Sequence, residues 1–249
     1  MKSLLLLTSA VAALAAAPAM AQEGPVGSVG VTYGNTELDL GGLSADADAW
    51  AVDGVVAMPA FGDWTVTLAG DVSQFDDGSS DDTTVSGTAH LTTVVGSDLR
   101  VGGFVGAADV ADETALTGGV TVQKYLSRAT LTGVLAYTTA DDIDLDAWSV
   151  GGDAAFYVAD ALRLNAGVSW LTVDDADVDG VTYGVGAEYE IASTPFSVTA
   201  GYSHSDIEDL DVDSWTIGLR YSFGGGLQAR DRAGAALPGS GVMGLLGSL

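Results

Sequence analysis

The stretch Ser214-Trp215-Thr216-Ile217-Gly218-Leu219-Arg220-Tyr221-Ser222-Phe223 alternates, residue by residue, between large apolar and small or polar side chains. Successive side chains of a β-strand point to opposite faces, so Trp215, Ile217, Leu219, Tyr221 and Phe223 share one face. Ser214, Thr216, Gly218, Arg220 and Ser222 share the other. One face is fit for an apolar solvent and the other for water.

The same period of two recurs along the chain. Trp148, Val150, Gly152, Ala154 and Phe156 oppose Ser149, Gly151, Asp153, Ala155 and Tyr157. Val181, Tyr183, Val185, Ala187, Tyr189 and Ile191 oppose Thr182, Gly184, Gly186, Glu188 and Glu190. Marking every such run predicts strands over 26–34, 48–58, 63–75, 84–95, 98–108, 115–125, 128–139, 147–158, 161–172, 181–191, 195–204 and 214–223. Each is about ten residues, the length with which a tilted strand crosses a bilayer. The predicted fold is all-β: an up-and-down antiparallel transmembrane β-barrel of 12 strands.

The connections predict which end is which. Short turns fall at Ala60-Phe61-Gly62, Gly96-Ser97, Ser127, Ala159-Asp160 and Ala192-Ser193-Thr194. Longer acidic loops are expected at Asn35 to Ala47, Asp76 to Thr83, Asp109 to Thr114, Ala140 to Asp146, Val173 to Gly180 and Ser205 to Asp213. These six hold most of the 34 carboxylates of the chain and no Lys or Arg. Arg100, Lys124, Arg128, Arg163 and Arg220 lie near short turns, and Arg230 and Arg232 in the C-terminal tail. Trp50, Trp148, Trp215, Tyr33, Tyr137, Trp170 and Tyr202 are placed to form a girdle at the loop end. Trp64, Phe156, Tyr189, Phe196 and Phe223 form one at the turn end.

The ends of the chain supply context. Met1-Lys2-Ser3 followed by an apolar run and Ala19-Met20-Ala21 reads as a secretory signal peptide over 1–21, cleaved after Ala21. The barrel then occupies 22–223, and 224–249 form a Gly-rich tail. The tail reads first as a flexible periplasmic extension, with plugging of the lumen or docking to a partner as alternatives. After the signal, no apolar run approaches the length of a membrane-spanning helix. No cysteine is present, which removes disulfides, catalytic thiols and thiolate metal sites. A net charge of −26 argues against nucleic acid as a partner. A mean hydropathy of +0.31 in so acidic a chain requires that charge and apolar surface be segregated.

The closing run Thr216-Ile217-Gly218-Leu219-Arg220-Tyr221-Ser222-Phe223 resembles the assembly signal of outer-membrane barrels: polar, any, Gly, two of any kind, aromatic, any, aromatic. With the strand pattern, residues 26–223 resemble the porin-like outer-membrane β-barrel superfamily, that of the small bacterial porins. The resemblance implies that Gly218, Tyr221 and Phe223 are read by the barrel assembly machinery. The chain differs from that pattern in continuing past the final aromatic through Gly224-Gly225-Gly226.

The inward face is mostly Gly, Ser, Thr and Ala, with Asp53, Asp71, His90, Arg100, Asp153, Arg163, Glu188, Glu190 and Arg220 as candidate pore-lining groups. Arg100, Arg163, Arg220, Glu188 and Glu190 lie toward the periplasmic end, where they are expected to form a cross-strand network. That network either stabilises a wet lumen or selects solutes. Asp175-Ala176-Asp177-Val178-Asp179-Gly180 imitates half of a calcium loop, but the twelfth position is Gly186, so Asp175, Asp177 and Asp179 are weak metal candidates. No cofactor is expected. His204 lies beside Ser203, Ser205 and Asp206 without a separated triad, and an enzyme is not expected.

The function these features predict is passive diffusion of small hydrophilic solutes, with a preference for cations set by the acidic mouth. The alternative is a non-conducting surface barrel for adhesion, envelope stability or partner binding. The expected location is the bacterial outer membrane, in contact with its lipid and lipopolysaccharide. Homo-oligomerisation is left open.

Overall fold

The computed structural model describes residues 24–76, 81–110, 113–140, 145–174 and 178–238. The expected signal peptide, Asp175 and Asp177, and the apolar end Val242 to Leu246 lie outside these residues.

Twelve strands succeed one another in chain order: β1 (Val26–Leu40), β2 (Leu43–Pro59), β3 (Trp64–Asp76), β4 (Asp81–Val95), β5 (Leu99–Val110) and β6 (Glu113–Tyr125). Then come β7 (Ala129–Ala140), β8 (Leu145–Ala159), β9 (Leu162–Val173), β10 (Val178–Glu190), β11 (Phe196–Ile207) and β12 (Leu210–Phe223). Each pairs antiparallel with its neighbours in sequence, and β12 returns to β1 to close the barrel. The closing seam is fully registered, from Gly27 opposite Phe223 to Leu40 opposite Leu210. Closure leaves no sheet edge with unpaired backbone groups, the condition for crossing hydrocarbon with strands.

The alternation of the sequence becomes an inside-out burial. The largest fully enclosed side chains are polar, such as Thr67 at 0% exposure and His90 at 2%. Lipid-facing ones are apolar, such as Val105 at 65% and Leu219 at 51%. Trp50 lies 5.0 Å from the ring of Tyr33, which is 5.6 Å from that of Trp215, and Tyr137 pairs with Trp148 at 5.0 Å. These cross-strand pairs build the expected outer girdle. At the opposite end Phe196 meets Tyr221 edge-on at 5.6 Å.

The strands are longer than the sequence pattern predicts. The segments Asn35 to Ala47 and Ser205 to Asp213, expected as loops, are continuations of paired strand. β1 and β2 remain in register to Leu40 opposite Leu43 and turn at Gly41-Gly42, both at positive φ (59° and 89°) as a tight hairpin turn requires. β11 and β12 remain paired to Ile207 opposite Leu210. The physical reason is that Glu37-Leu38-Asp39-Leu40 and Leu210-Asp211-Val212-Asp213 continue the period of two. Acidity suggested loops there, but the carboxylates line one face of a solvated ribbon. From Tyr33 to Leu40 is seven residues, so the ribbon rises roughly 20 Å along the strand beyond the girdle.

Candidate functional site: a lumen closed by the C-terminal segment

After Phe223 the chain turns at Gly224 and Gly225, both at positive φ, and re-enters the barrel. A four-residue helix, α1 (Leu227–Arg230), runs into a wider helical turn, Asp231–Ala235. This corrects the flexible periplasmic extension expected for 224–249: residues 227–238 are bound to the inward face, while 239–249 lie outside the described residues. The cause is polar demand. A barrel lined with Thr, Ser, Gln and charged groups holds many donors and acceptors that the sheet itself leaves unpaired.

The tail answers the barrel's donors mostly with backbone carbonyls. Thr67 Oγ1 donates to the carbonyl of Gly234 at 3.0 Å, Gln123 Nε2 to that of Ala236 at 3.3 Å, and His90 Nε2 lies 2.9 Å from that of Pro238. Arg100 is bound by three partners: Nε donates to Tyr125 Oη at 2.7 Å, Nη1 to Thr92 Oγ1 at 2.7 Å and Nη2 to the carbonyl of Arg232 at 2.9 Å. Tyr157 donates to the carboxylate of Asp231. At the rim formed by the short turns Arg232 and Gln228 donate to the carbonyls of the Leu126-Ser127 turn.

Arg230 is the ionic centre of this plug. It is 6% exposed, and its Nη2 stands 3.3 Å from Glu188 Oε1 and 3.4 Å from Glu190 Oε1, while Nη1 donates to Ser222. Glu188 also accepts from Ser197 at 2.7 Å and faces Arg163 at 3.8 Å. The expected network at the periplasmic end therefore forms in part: Arg163 and Glu188 meet, with Glu190 joined through Arg230. Arg220 goes elsewhere, to Asp53 at 2.8 Å and Ser28 at 2.9 Å. Arg100 is taken up by its two hydroxyls and a carbonyl.

The Arg220–Asp53 pair crosses β1 at Gly30, which is paired with Arg220 on one side and Asp53 on the other. A Cβ there would come 2.8 Å from Asp53 Oδ1 and 3.3 Å from the guanidinium carbon of Arg220. Glycine is what lets the two charges meet over the strand. Asp71 is directly opposite Asp53 across β2 and β3 and is bonded to Ser86. The Oδ2 of Asp153 is buried without a hydrogen-bond partner among the described residues.

Above the plug the lumen is a cavity of about 920 Å³, walled by Thr32, Gly34, Thr84, Thr88 and their small neighbours, with Arg230, Asp231 and Leu237 among its lining. His204 faces outward, against the ring of Tyr183 at 5.1 Å and with Nδ1 2.9 Å from Asp213. Ser203 and Ser205, its neighbours on the strand, line the cavity on the opposite face. Asp179, the weak metal candidate within the described residues, belongs to no metal cluster: among those residues no group of three or more His, Cys, Asp or Glu is placed to hold an ion. Sequence reasoning missed Arg230, Asp231, Gln123, Tyr125 and Tyr157. The available signal was the Arg230-Asp231-Arg232 cluster beyond Phe223.

A closed antiparallel barrel with an apolar outer band, two aromatic girdles and a polar interior defines an outer-membrane β-barrel protein. The chain belongs to the family described as outer membrane protein beta-barrel domain, whose model matches residues 4–223. Solved structures share the fold at low identity. A KdgM porin in complex with disordered oligogalacturonate is 9% identical, at a TM-score of 0.57 over 78% of this chain and 99% of that one. The COG4313 outer membrane channel from Pseudomonas putida F1 is 10% identical, at 0.58 over 80% and 96%. The translocator domain of autotransporter NalP from Neisseria meningitidis is 14% identical, at 0.54 over 88% and 95%. No curated protein matches the chain.

Proposed function

We propose that the protein is a porin-like outer-membrane channel for passive diffusion of small hydrophilic solutes, cation-preferring, whose periplasmic exit is closed by its own C-terminal segment. The observation that carries this reading is the lumen itself. Small polar side chains leave about 920 Å³ of space above residues 227–238, and those residues are held by hydrogen bonds and ion pairs that can be broken. A barrel built to be inert would fill its interior with side chains, as narrow barrels do. The likeness of the fold to a porin and to an outer-membrane channel agrees with this. Cation preference rests on the acidic ribbons at the mouth, whose focused potential raises local cation concentration.

A second reading, a non-conducting surface barrel, draws on the depth of the plug. Planar-bilayer recording in potassium chloride separates them. The full chain is expected to give rare or small steps, and the chain lacking residues 224–249 larger, cation-selective ones. A folded but silent truncated barrel would transfer the assignment to the surface barrel, and an anion-selective reversal potential would remove the cation preference.

A further inference from the structure

We infer that residues 230–238 occupy a peptide-binding site, and that the solute class this lumen takes is a short peptide carrying an arginine four residues before a glycine. The inference rests on the channel reading for what the site serves. The site itself is a matter of binding, and its test reads binding rather than conductance.

Four side chains make the wall of the site. Arg100 Nη2 donates to the carbonyl of Arg232, Thr67 Oγ1 to that of Gly234 and Gln123 Nε2 to that of Ala236. His90 Nε2 lies 2.9 Å from the carbonyl of Pro238, and because a carbonyl only accepts, that nitrogen carries the proton. The acceptors are therefore every second carbonyl from Arg232 to Pro238. The donors stand on four consecutive strands, β3 to β6, and none is more than 3% exposed. Main-chain carbonyls at this spacing are brought by any peptide, so the wall reads a backbone rather than a sequence.

The side chains of the same segment are held differently. Ala235, Ala236, Leu237 and Pro238 border the open cavity of about 920 Å³, so larger groups at these places have space to enter. Two positions are read closely. Arg230, 6% exposed, stands between Glu188 and Glu190 of β10, which form a pocket for a guanidinium. At Gly234 the backbone lies at φ 98°, and a Cβ would come 3.2 Å from Arg100 Nη1 and 3.3 Å from Thr67 Oγ1, which favours glycine. Asp231 is less well served: one oxygen accepts from Tyr157, and the other has no hydrogen-bond partner among the described residues. A backbone read by buried donors, one cationic pocket and room for the other side chains together describe a site that accepts many peptides. The tail is the tethered one.

The test is fluorescence anisotropy of the full chain in phosphatidylcholine nanodiscs. The probe is the peptide of residues 230–238, Arg-Asp-Arg-Ala-Gly-Ala-Ala-Leu-Pro, amidated and with a dye at its amino end. The tethered tail competes for the same donors, so Arg230→Ala, which loosens the tail, is expected to bind the probe at least tenfold more tightly than the native chain. A second peptide, Arg-Asp-Ser-Ser-Gly-Val-Thr-Phe-Ser, keeps the main chain and the closely read positions and should bind within about threefold of the first. The first peptide with a trans-alkene in place of the Gly-Ala amide should bind at least fivefold more weakly, because the buried Thr67 hydroxyl loses its acceptor. All three peptides are ranked on the native chain as well, so their order is read whether or not the variant folds. Absence of saturable binding to both chains, equal affinity of the two folded chains, a second peptide weaker than that margin, or an alkene peptide of undiminished affinity would each overturn the inference. None of these results depends on conductance, so a silent barrel and a lumen that binds no peptide are separate findings.

Discussion

Arg230 shows how a single residue ties the tail to the wall. Its guanidinium serves two carboxylates from β10 and a hydroxyl from β12, so removing it leaves Glu188, 8% exposed, without its nearer cation. Taking one partner from a buried pair costs about 3 kcal/mol, roughly a hundredfold in the balance between plugged and unplugged lumen. Arg230→Ala is therefore expected to raise the open probability in bilayer recordings while leaving barrel folding unchanged. A variant as closed as the native chain would show that the carbonyl contacts alone hold the plug. Gly30 carries a different constraint. Gly30→Ala places a methyl between Asp53 and Arg220, and the resulting overpacking is expected to lower stability by about 1–3 kcal/mol, read from urea unfolding in lipid vesicles. Neither residue announces its role in the sequence. Arg230 belongs to a Gly-rich tail with no period, and Gly30 is one of many glycines until the register sets it between two charges.

At the scale of elements, the outer rim repeats one device three times. An ascending strand reaches the rim at a tyrosine that stands opposite the tryptophan of Asp-x-Trp on the next strand: Tyr33 with Trp50, Tyr137 with Trp148 and Tyr202 with Trp215. Each tyrosine hydroxyl donates to the aspartate two residues before that tryptophan, Asp48 at 2.8 Å, Asp146 at 2.7 Å and Asp213 at 2.5 Å. The aromatic pair marks the lipid boundary and the carboxylate the water above it. The Tyr137 hydroxyl holds the carboxyl of Asp146 below the usual carboxylate range. A carboxyl depressed in the folded protein contributes stability above its unfolded pKa and loses it as pH falls through the folded one. Tyr137→Phe should thus raise the Asp146 pKa toward its ordinary value, measured by carbon NMR of the carboxyl. An unchanged value would deny the clasp an electrostatic role. The girdle residues of these clasps were legible from their places at the ends of the alternating runs. The ribbons above them were not, because their acidic residues read as loop and their leucines alone do not reveal a neighbouring strand.

For the whole molecule, the strand count, the chain-order pairing and the closed barrel were legible in the alternation, since each face of a strand must choose between lipid and lumen. The inward positions of Asp53, Asp153, Arg163, Glu188 and Arg220 came with them. What fills the lumen did not. The tail's binding depends on donors and acceptors brought together from β3, β4, β5, β6 and β8, residues far apart in sequence that meet after closure. A short segment that meets these donors mostly through its carbonyls carries little side-chain signature of where it binds.

A plugged lumen requires that segment to lie inside the barrel, and the absence of native cysteine makes a direct measurement possible. A Cβ on Gly234 would lie 3.3 Å from Thr67 Oγ1, close enough for a Thr67→Cys, Gly234→Cys pair to bridge. Gly234 sits at φ 98°, so its substitution costs about 1 to 2 kcal/mol, within what a disulfide closing so long a loop returns. The measurement is a thiol count of the folded double variant after mild oxidation. Loss of both thiols to an intramolecular bond is the predicted result; two free thiols, with the one at position 234 open to a membrane-impermeant maleimide, would contradict a plugged lumen.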